Sequence, residues 1–294
     1  MQNPLIELSQ ALAGTVGGAA QSVVAVSARK NGYQSGILVD STRILTVDPG
    51  VEQDEDFQVL LPSGEVAAAS LLGRDPSGDL ALLQLQKPFL DAPVLPLAGS
   101  ATLGELIIGI SRSPETGPNA SLGMLSSLSG TWRTWKGGKL DHFIKLDLPI
   151  YPGISGGLAL RADGSLLGMI STGLARGTAV VIPSSNLHLF VETIAAHGEL
   201  GRGYLGVGLQ PVPQPAGMIV LNVEPDSPSA IAQLMVGDVI LAIGGQRASD
   251  FACIQEFLEP PHIGQHIPIL ISRAGQELEL QIEIGRRPTG RRAA

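Results

Sequence analysis

Apolar residues along this chain come in short runs that turn residues separate. Residues 23–26 read Val-Val-Ala-Val, residues 80–85 read Leu-Ala-Leu-Leu-Gln-Leu, and residues 166–170 read Leu-Leu-Gly-Met-Ile. Short apolar runs of this kind between glycine, proline, serine and aspartate predict β-strands. Further runs lie at 36–39, 57–61, 106–110, 122–125, 143–146, 158–160 and 180–182. They predict a mainly β fold in which two six-stranded barrels are built from the first part of the chain.

Two stretches outside these runs have apolar residues at helical spacing. Residues 5–12 predict a short N-terminal helix that Gly17 and Gly18 end. Residues 186–196 predict a second helix, and the glycine-rich residues 198–203 after it predict a domain boundary. We therefore expect four parts: an N-terminal segment (1–20), a barrel domain (21–199), a second domain (200–288) and a basic tail (289–294).

Composition narrows the choice of partners. The chain has 294 residues, enough for two domains with apolar cores. Its 19 lysines and arginines against 27 aspartates and glutamates give a net charge of −8, which argues against nucleic acid as the main partner. A single cysteine, Cys253, excludes an intrachain disulfide. We expect no cofactor and no bound metal.

The first residues bear on location. The first basic residue is Arg29, whereas a secretory signal needs a basic region before its apolar stretch. Residues 8–28 are uncharged, but they are rich in glycine, alanine, serine and threonine and too weakly apolar for a membrane span. We expect a cytoplasmic protein without a membrane span.

Two motifs carry candidate chemistry. Gly153-Ile-Ser-Gly-Gly157 places a serine among glycines, and residues 73–83 place Asp79 directly before an apolar run. Ser155 follows Asp79 by 76 residues (155 − 79). In this order the motifs resemble the triad aspartate and the nucleophile loop of trypsin-fold serine proteases. The resemblance implies that Ser155 is the nucleophile and that Asp79 orients the base.

The sequence differs from those proteases at the position of the general base. Residues 44–52 resemble the strand end that presents the catalytic histidine in a Thr-x-x-His pattern starting at Thr46, but position 49 holds Pro49. Serine hydrolysis needs a group that accepts the hydroxyl proton near neutral pH, and proline has no titratable group. The resemblance thus implies a protease fold whose base is missing.

Histidine occurs at five other positions: 142, 188, 197, 262 and 266. None falls where the fold would place a base, and we expect each on the surface or in a turn. A substitute base among them stays an alternative, because triads are recognised by geometry rather than by sequence position. For Asp79 the alternative is a turn residue that caps backbone N–H groups.

The resemblance also implies an oxyanion hole and a specificity pocket. The hole would consist of the backbone N–H groups of Gly153 and Ser155. The residue before the serine is usually polar in the family, and here it is Ile154. Residues 148–150 would form the floor of the pocket and residues 172–175 its wall. The floor holds no charged residue, so we expect the pocket to accept a small apolar side chain.

Trp132 and Trp135 lie close together in a stretch typical of a loop. Tryptophan is highly buried on average, so we expect both to cover the second barrel. The alternative is that they anchor a partner, because tryptophan is enriched at binding hot spots.

After residue 200 the motifs change. Gly203-Tyr-Leu-Gly-Val207, Ser227-Pro-Ser-Ala230 and residues 236–241 resemble the carboxylate-binding loop and strands of a PDZ domain. A trypsin-like double β-barrel followed by a PDZ domain is the layout of the HtrA/DegP-like family. Relatives trimerise, but residues 29–35 form a short connection here and no aromatic residue precedes Tyr33, so family-type assembly is doubtful.

The PDZ resemblance implies a peptide groove. The loop would direct backbone N–H groups at the terminal carboxylate of a peptide, and strand 207–211 would pair with the peptide. Helix 249–258 would form the other wall of the groove. The candidate loop residues are Tyr204, Leu205, Gly206 and Val207. The candidate pocket residues are Ile254, Phe257 and Leu258. The alternative is a groove that packs on the barrel and binds nothing.

Three functions remain open at this point. The first is a pseudoprotease that binds peptides or protein C-termini as an adaptor, a scaffold or a subunit of a complex. The second is a serine endopeptidase with an unusual base. The third is a purely structural protein. We favour the first, because proline at position 49 cannot accept a proton.

Overall fold

A computed structural model describes residues 3–28, 32–48, 57–91, 95–97, 99–135, 137–175, 177–197, 203–258 and 262–286. The chain divides into two compact units, residues 1–200 and 201–294. Both units are built mainly from antiparallel strands, which confirms the predicted fold class. The finer domain boundaries expected from the sequence stay predictions.

The first barrel has six strands. They are β1 (Val23–Ala28), β2 (Gly32–Leu38), β3 (Arg43–Thr46), β4 (Phe57–Leu60), β5 (Val66–Asp75) and β6 (Leu80–Leu85). The barrel closes in the order β1-β2-β3-β6-β5-β4. Side chains alternate along β3, so Ile44 packs with Phe57 in one apolar cluster and Leu45 belongs to another. The apolar pattern does not single out β5, because three alanines follow Val66 and alanine is a weak strand former.

The second barrel also closes with six strands, and a small hairpin interrupts it in sequence. The strands are β7 (Leu106–Ser113), β8 (Gly117–Ser129), β9 (Trp132–Arg133), β10 (Lys139–Leu140), β11 (Phe143–Asp147), β12 (Leu158–Arg161), β13 (Leu166–Ser171) and β14 (Ala179–Pro183). The barrel order is β11-β14-β13-β12-β7-β8, and β9 and β10 form the hairpin. The segment between β11 and β12 carries Ser155, so its position depends on both strands.

Two helices complete the first unit, α1 (Pro4–Ala19) and α2 (Ser184–His197). The predicted end of the first helix at Gly17 is wrong: α1 continues to Ala19, capped at its start by Asn3. Leu12 and Val16 pack on an apolar cluster that joins strands of both barrels to α2. This packing offsets the low helix propensity of the glycines.

The second unit contains one main sheet and two short helices. Its elements are β15 (Gly203–Tyr204), β16 (Val207–Pro213), β17 (Ala216–Val223), α3 (Pro228–Ile231), β18 (Val239–Ile243), β19 (Gln246–Arg247), α4 (Phe251–Glu256), β20 (His266–Arg273), β21 (Gln276–Glu283) and β22 (Gly285–Arg286). The sheet order is β16-β17-β18-β20-β21, so β16 is an edge strand. Among the described residues of the whole chain, no helix is long and apolar enough to cross a membrane.

Candidate functional site

The loop that carries Ser155 is built on glycines that no other residue could replace without strain. Gly153 has φ +83° and Gly156 has φ +85°, in the left-handed region that favours glycine. A Cβ on Gly156 would lie 1.9 Å from the carbonyl oxygen of Ser35. A Cβ on Gly157 would lie 2.4 Å from the carbonyl oxygen of Ile110. The loop is therefore pressed against β2 and β7.

Hydrogen bonds from β2 hold this loop. The amide of Ser35 donates to the carbonyl of Ser155 at 2.9 Å, and Ser35 Oγ donates to the carbonyl of Gly153 at 2.6 Å. The Tyr33 hydroxyl donates to the carbonyl of Pro152 at 3.3 Å. The sequence does not predict Ser35 as a site residue, because it falls in the short connection 29–35 before the apolar run 36–39 and no local pattern marks it.

Arg112 ties the end of α1 to the same serine. Its guanidinium donates to the main-chain carbonyls of Val23 at 2.5 Å and Ala20 at 2.9 Å, and its amide donates to Ser35 Oγ at 2.9 Å. Burial lowers the pKa of Arg112 because it disfavours the charged form. The hydrogen bonds to carbonyl oxygens offset part of that cost.

Asp79 lies in a tight turn directly before β6. Its φ is +60°, and the residue is only 2% exposed. Ser171 Oγ, at the end of β13, donates to Asp79 Oδ2 at 2.5 Å. Ser171 is a second residue that sequence reasoning missed; its one signal is its place directly after the apolar run 166–170.

The hydroxyl of Ser155 meets the next residue of the same segment. The amide of Thr172 donates to Ser155 Oγ at 3.3 Å. Asp79 and Ser155 thus contact adjacent residues, Ser171 and Thr172, which places the two predicted triad members on the same side of the second barrel.

Pro49, the predicted position of the missing base, lies outside the described residues. The strand before it is well fixed, since Thr46 Oγ1 donates to the carbonyl of Ser35 at 2.7 Å. Asp48, which precedes Pro49, is buried and pairs with Arg74 at 2.6 Å. The chain up to Asp48 is thus held by β2 at Thr46 and by β5 at Asp48.

The described histidine side chains of the first unit do not complete a triad. His142 is exposed in the turn before β11, and His188 is exposed on α2, where it lies 3.1 Å from Glu192. Neither is hydrogen-bonded to Ser155 or Asp79. The side chain of His197 lies outside the description, and His262 and His266 belong to the second unit.

The predicted oxyanion hole and pocket stay predictions. The amide of Ser155 donates no hydrogen bond to a described residue, whereas Gly153 forms an isolated parallel bridge with Gln34. Ile154 is 1% exposed and packs in the core of the second barrel with Leu148. Packing therefore explains an apolar residue at the position where the resemblance implies a polar one.

The two tryptophans differ in environment. Trp132 packs edge to face against Phe143, with 5.0 Å between the ring centres, so it covers the barrel as predicted. Trp135 is 74% exposed, and for this residue the same prediction is wrong. Trp135 lies at the tip of the short β9–β10 hairpin, and no local sequence pattern predicts that geometry.

In the second unit, the predicted carboxylate loop has its carbonyls occupied and its amides open. The carbonyl of Leu205 accepts from the amide of Ser229 at 2.9 Å, and that of Gly206 accepts from the amide of Glu224 at 2.8 Å. No described residue accepts a hydrogen bond from the amides of Leu205 and Gly206. A Cβ on Gly206 would lie 2.2 Å from Ser227 Cβ, so the loop requires glycine at this point.

The predicted groove residues lie beside this loop. Helix α4 starts after Asp250, which caps it, and is shorter than the predicted helix 249–258. Ile254 and Phe257 are buried in the core of the unit, while the partly buried Leu258 accepts a hydrogen bond from the amide of Gly203 at 2.9 Å. Ile254 and Phe257 thus belong to the core of the unit, and a peptide groove beside α4 stays a prediction.

Comparisons with known proteins agree with both units. A model of the trypsin-like peptidase domain matches residues 34–169, and a PDZ domain model matches residues 203–284. The chain is 27% identical over 271 residues to the periplasmic pH-dependent serine endoprotease DegQ of Escherichia coli, covering 86% of this chain and 59% of DegQ. It is 26% identical to the periplasmic serine endoprotease DegP of Salmonella typhimurium, covering 85% of this chain and 56% of DegP. The chain thus spans less than two thirds of these relatives.

Solved structures match over nearly the full chain. The HtrA-type protease AlgW with a decapeptide superposes with a TM-score of 0.75 at 28% identity, covering 94% of this chain and 99% of AlgW. The serine endoprotease from Yersinia pestis superposes with a TM-score of 0.76 at 26% identity, covering 94% of this chain and 98% of that protein.

The relatives correct one expectation from the sequence. They are named as periplasmic proteins, which indicates a location outside the cytoplasm, so the cytoplasmic prediction is wrong. Leader segments are removed from mature proteins, and the first residues of a chain therefore do not decide its location. The first unit contains two closed barrels, and the sheet of the second unit has β16 at its edge. With the matches above, these folds show that the chain combines an HtrA/DegP-like trypsin-like peptidase domain with a PDZ domain.

Proposed function

We propose that this protein is an HtrA-like pseudoprotease that binds peptides or protein C-termini without cleaving them. It would act as an adaptor, a scaffold or a subunit of a larger complex. The observation that carries the proposal is Pro49, at the position where the family resemblance implies a catalytic histidine. Proline cannot accept the hydroxyl proton of Ser155.

The surroundings of Ser155 support this proposal. Its oxygen accepts a hydrogen bond from the Thr172 amide, and neither His142 nor His188 is bonded to it. Removing one member of a catalytic triad typically costs about 10⁴–10⁶ in kcat. That loss corresponds to about 5–8 kcal/mol of transition-state stabilisation, more than an ordinary local rearrangement supplies.

Two observations favour an active endopeptidase as the second candidate. Asp79 is buried and bonded to Ser171, and the glycine loop around Ser155 keeps its left-handed turns. The relatives are also named as serine proteases. This candidate requires a base that the described histidine side chains of the first unit do not supply.

A turnover assay separates the two candidates. Purified protein and its Ser155→Ala variant are incubated with unfolded casein, and new amino termini are counted. We expect equal, background release from both proteins. Turnover by the unmodified chain that Ser155→Ala abolishes would establish the endopeptidase instead.

The PDZ domain supplies the binding half of the proposal. PDZ domains bind peptides and protein C-termini, and the relative AlgW was solved with a decapeptide. In this chain the amides of Leu205 and Gly206 have no described acceptor, and β16 is a sheet edge. Two open donors beside an open edge can hold a terminal carboxylate and extend the sheet by one strand.

A further inference from the structure

Trp135 is the side chain near Ser155 that neither the fold nor the proposed function explains. It is 74% exposed, and its indole Nε1 donates a hydrogen bond to the carbonyl of Gly173 at 3.3 Å. Gly173 lies in residues 172–175, the predicted wall of the peptide site. An exposed tryptophan bonded to that wall contacts the main chain where an extended peptide would pair.

Residues 171–174 are here called the Ser171 turn. Their main-chain N–H groups at 172–174 already donate hydrogen bonds to side chains of this protein. The amide of Thr172 donates to Ser155 Oγ at 3.3 Å. The amides of Gly173 and Leu174 donate to Ser171 Oγ at 3.2 and 3.3 Å. With the Gly173 carbonyl bonded to Trp135, three successive amides and one carbonyl already have partners inside the chain.

A peptide that adds itself to this segment as a strand needs those same groups. Main-chain pairing gives such complexes their affinity, and each pair requires one open donor or acceptor. The Ser171 turn must therefore unfold toward an extended form before a peptide can pair with it. Trp135 contributes a contact from the β9–β10 hairpin that opposes this change.

The β9–β10 hairpin is held in place through Thr134, so the Trp135 side chain can leave the Gly173 carbonyl while the hairpin stays in position. Thr134 is 4% exposed, and its Oγ1 donates to the carbonyl of Ser77 at 2.7 Å. The same oxygen accepts the amide of Gly138 at 2.9 Å. A Cβ on Gly138 would lie 2.3 Å from the Ser77 carbonyl oxygen, which shows how closely the hairpin fits the Asp79 turn.

We propose that Trp135 is a gate that closes the peptide site beside Ser155 in the unliganded protein. An extended peptide segment displaces the indole from the Gly173 carbonyl and takes its place as hydrogen-bond donor. The hairpin stays anchored through Thr134 while the exposed side chain rotates away. This inference rests on the proposed peptide-binding function, but it does not depend on whether the protein cleaves what it binds.

The test uses the full chain and a fluorescein-labelled decapeptide of small apolar residues with an amidated C-terminus. The amide removes the carboxylate that the PDZ loop would bind, so anisotropy reports the barrel site. We expect Trp135→Ala to bind about fivefold more tightly than the unmodified protein, the effect of one lost hydrogen bond of ordinary strength. Trp135→Phe, which keeps a ring but lacks the N–H donor, should also bind more tightly.

Trp132→Phe is the matched control, because Trp132 lies in the same hairpin and packs on Phe143 instead of on the Ser171 turn. We expect it to bind like the unmodified protein. Equal or weaker binding by Trp135→Ala, or binding by none of the variants, would overturn the proposal. Far-ultraviolet circular dichroism checks that the variants are folded.

A second readout follows the indole itself. In the Trp132→Phe protein, Trp135 is the one remaining tryptophan. Peptide binding should change its emission and its quenching by acrylamide, and unchanged emission at saturating peptide would contradict displacement. The free-acid peptide separates the two hypotheses: if neither peptide form binds, the proposed function fails, and if the acid form binds but Trp135→Ala has no effect, only the gate fails.

Discussion

Ser155 Oγ accepts a hydrogen bond from the Thr172 amide, whereas hydrolysis would need a neighbouring base to accept its proton. The parts that hold the serine are intact: Ser35 bonds to two carbonyls of its loop, and Ser171 bonds to Asp79. These contacts are main-chain and hydroxyl hydrogen bonds that stabilise the fold with or without catalysis. A retained Ser155 loop is therefore compatible with an inactive protein.

Gly156 of this loop and Gly164 of the turn between β12 and β13 allow a matched pair of substitutions. Gly156→Ala introduces both a left-handed alanine and a Cβ 1.9 Å from the Ser35 carbonyl oxygen. Gly164→Ala introduces the same backbone strain at φ +84°, but the nearest atom to its Cβ is 3.5 Å away. We expect Gly164→Ala to lower the free energy of unfolding by about 1 kcal/mol.

Gly156→Ala should lower it by about 1–3 kcal/mol more, because the overlap forces the loop and β2 apart. Urea denaturation of both variants measures the difference. Equal free energies of unfolding would mean that the loop moves freely against β2, contrary to the contacts described above.

Elements with a clear apolar period were predictable from the sequence, and those set by tertiary contacts were not. The runs at 80–85 and 166–170 became β6 and β13 because their apolar residues pack in the barrels. Helix α1 continues past Gly17 and Gly18 because Leu12 and Val16 pack on an apolar cluster. Motifs located Asp79 and Ser155, but the partners Ser35 and Ser171 come from distant strands and carry no local sequence signal.

We expect the predicted carboxylate loop between β15 and β16 to distinguish peptides by the charge of their C-terminus. Peptides with a free, apolar C-terminus should bind the full chain in the micromolar range, about −8 kcal/mol. Amidating that terminus should remove most of this affinity, because the amides of Leu205 and Gly206 lose the charged acceptor. Calorimetric titration measures both forms, and equal affinities would show that this loop is not a carboxylate site.

We propose that the protein has two separate peptide sites, one in each unit. One would lie beside Ser155 in the paired barrels, and the other would lie at the edge strand β16 of the second unit. Neither binding mode needs a titratable base, since both depend on main-chain hydrogen bonds. On the proposed function, proline in place of the catalytic histidine removes the chemical step and leaves the proposed binding surfaces in place.

The most direct test of this account asks whether Ser155 is an activated nucleophile, independently of any substrate. Diisopropyl fluorophosphate forms a covalent adduct with a serine whose hydroxyl is activated by a base. The purified protein is treated with excess reagent beside trypsin as the positive control, and intact masses are measured. We predict an unchanged mass for this protein and a full adduct on trypsin. A stoichiometric adduct at Ser155, absent from Ser155→Ala, would contradict the account.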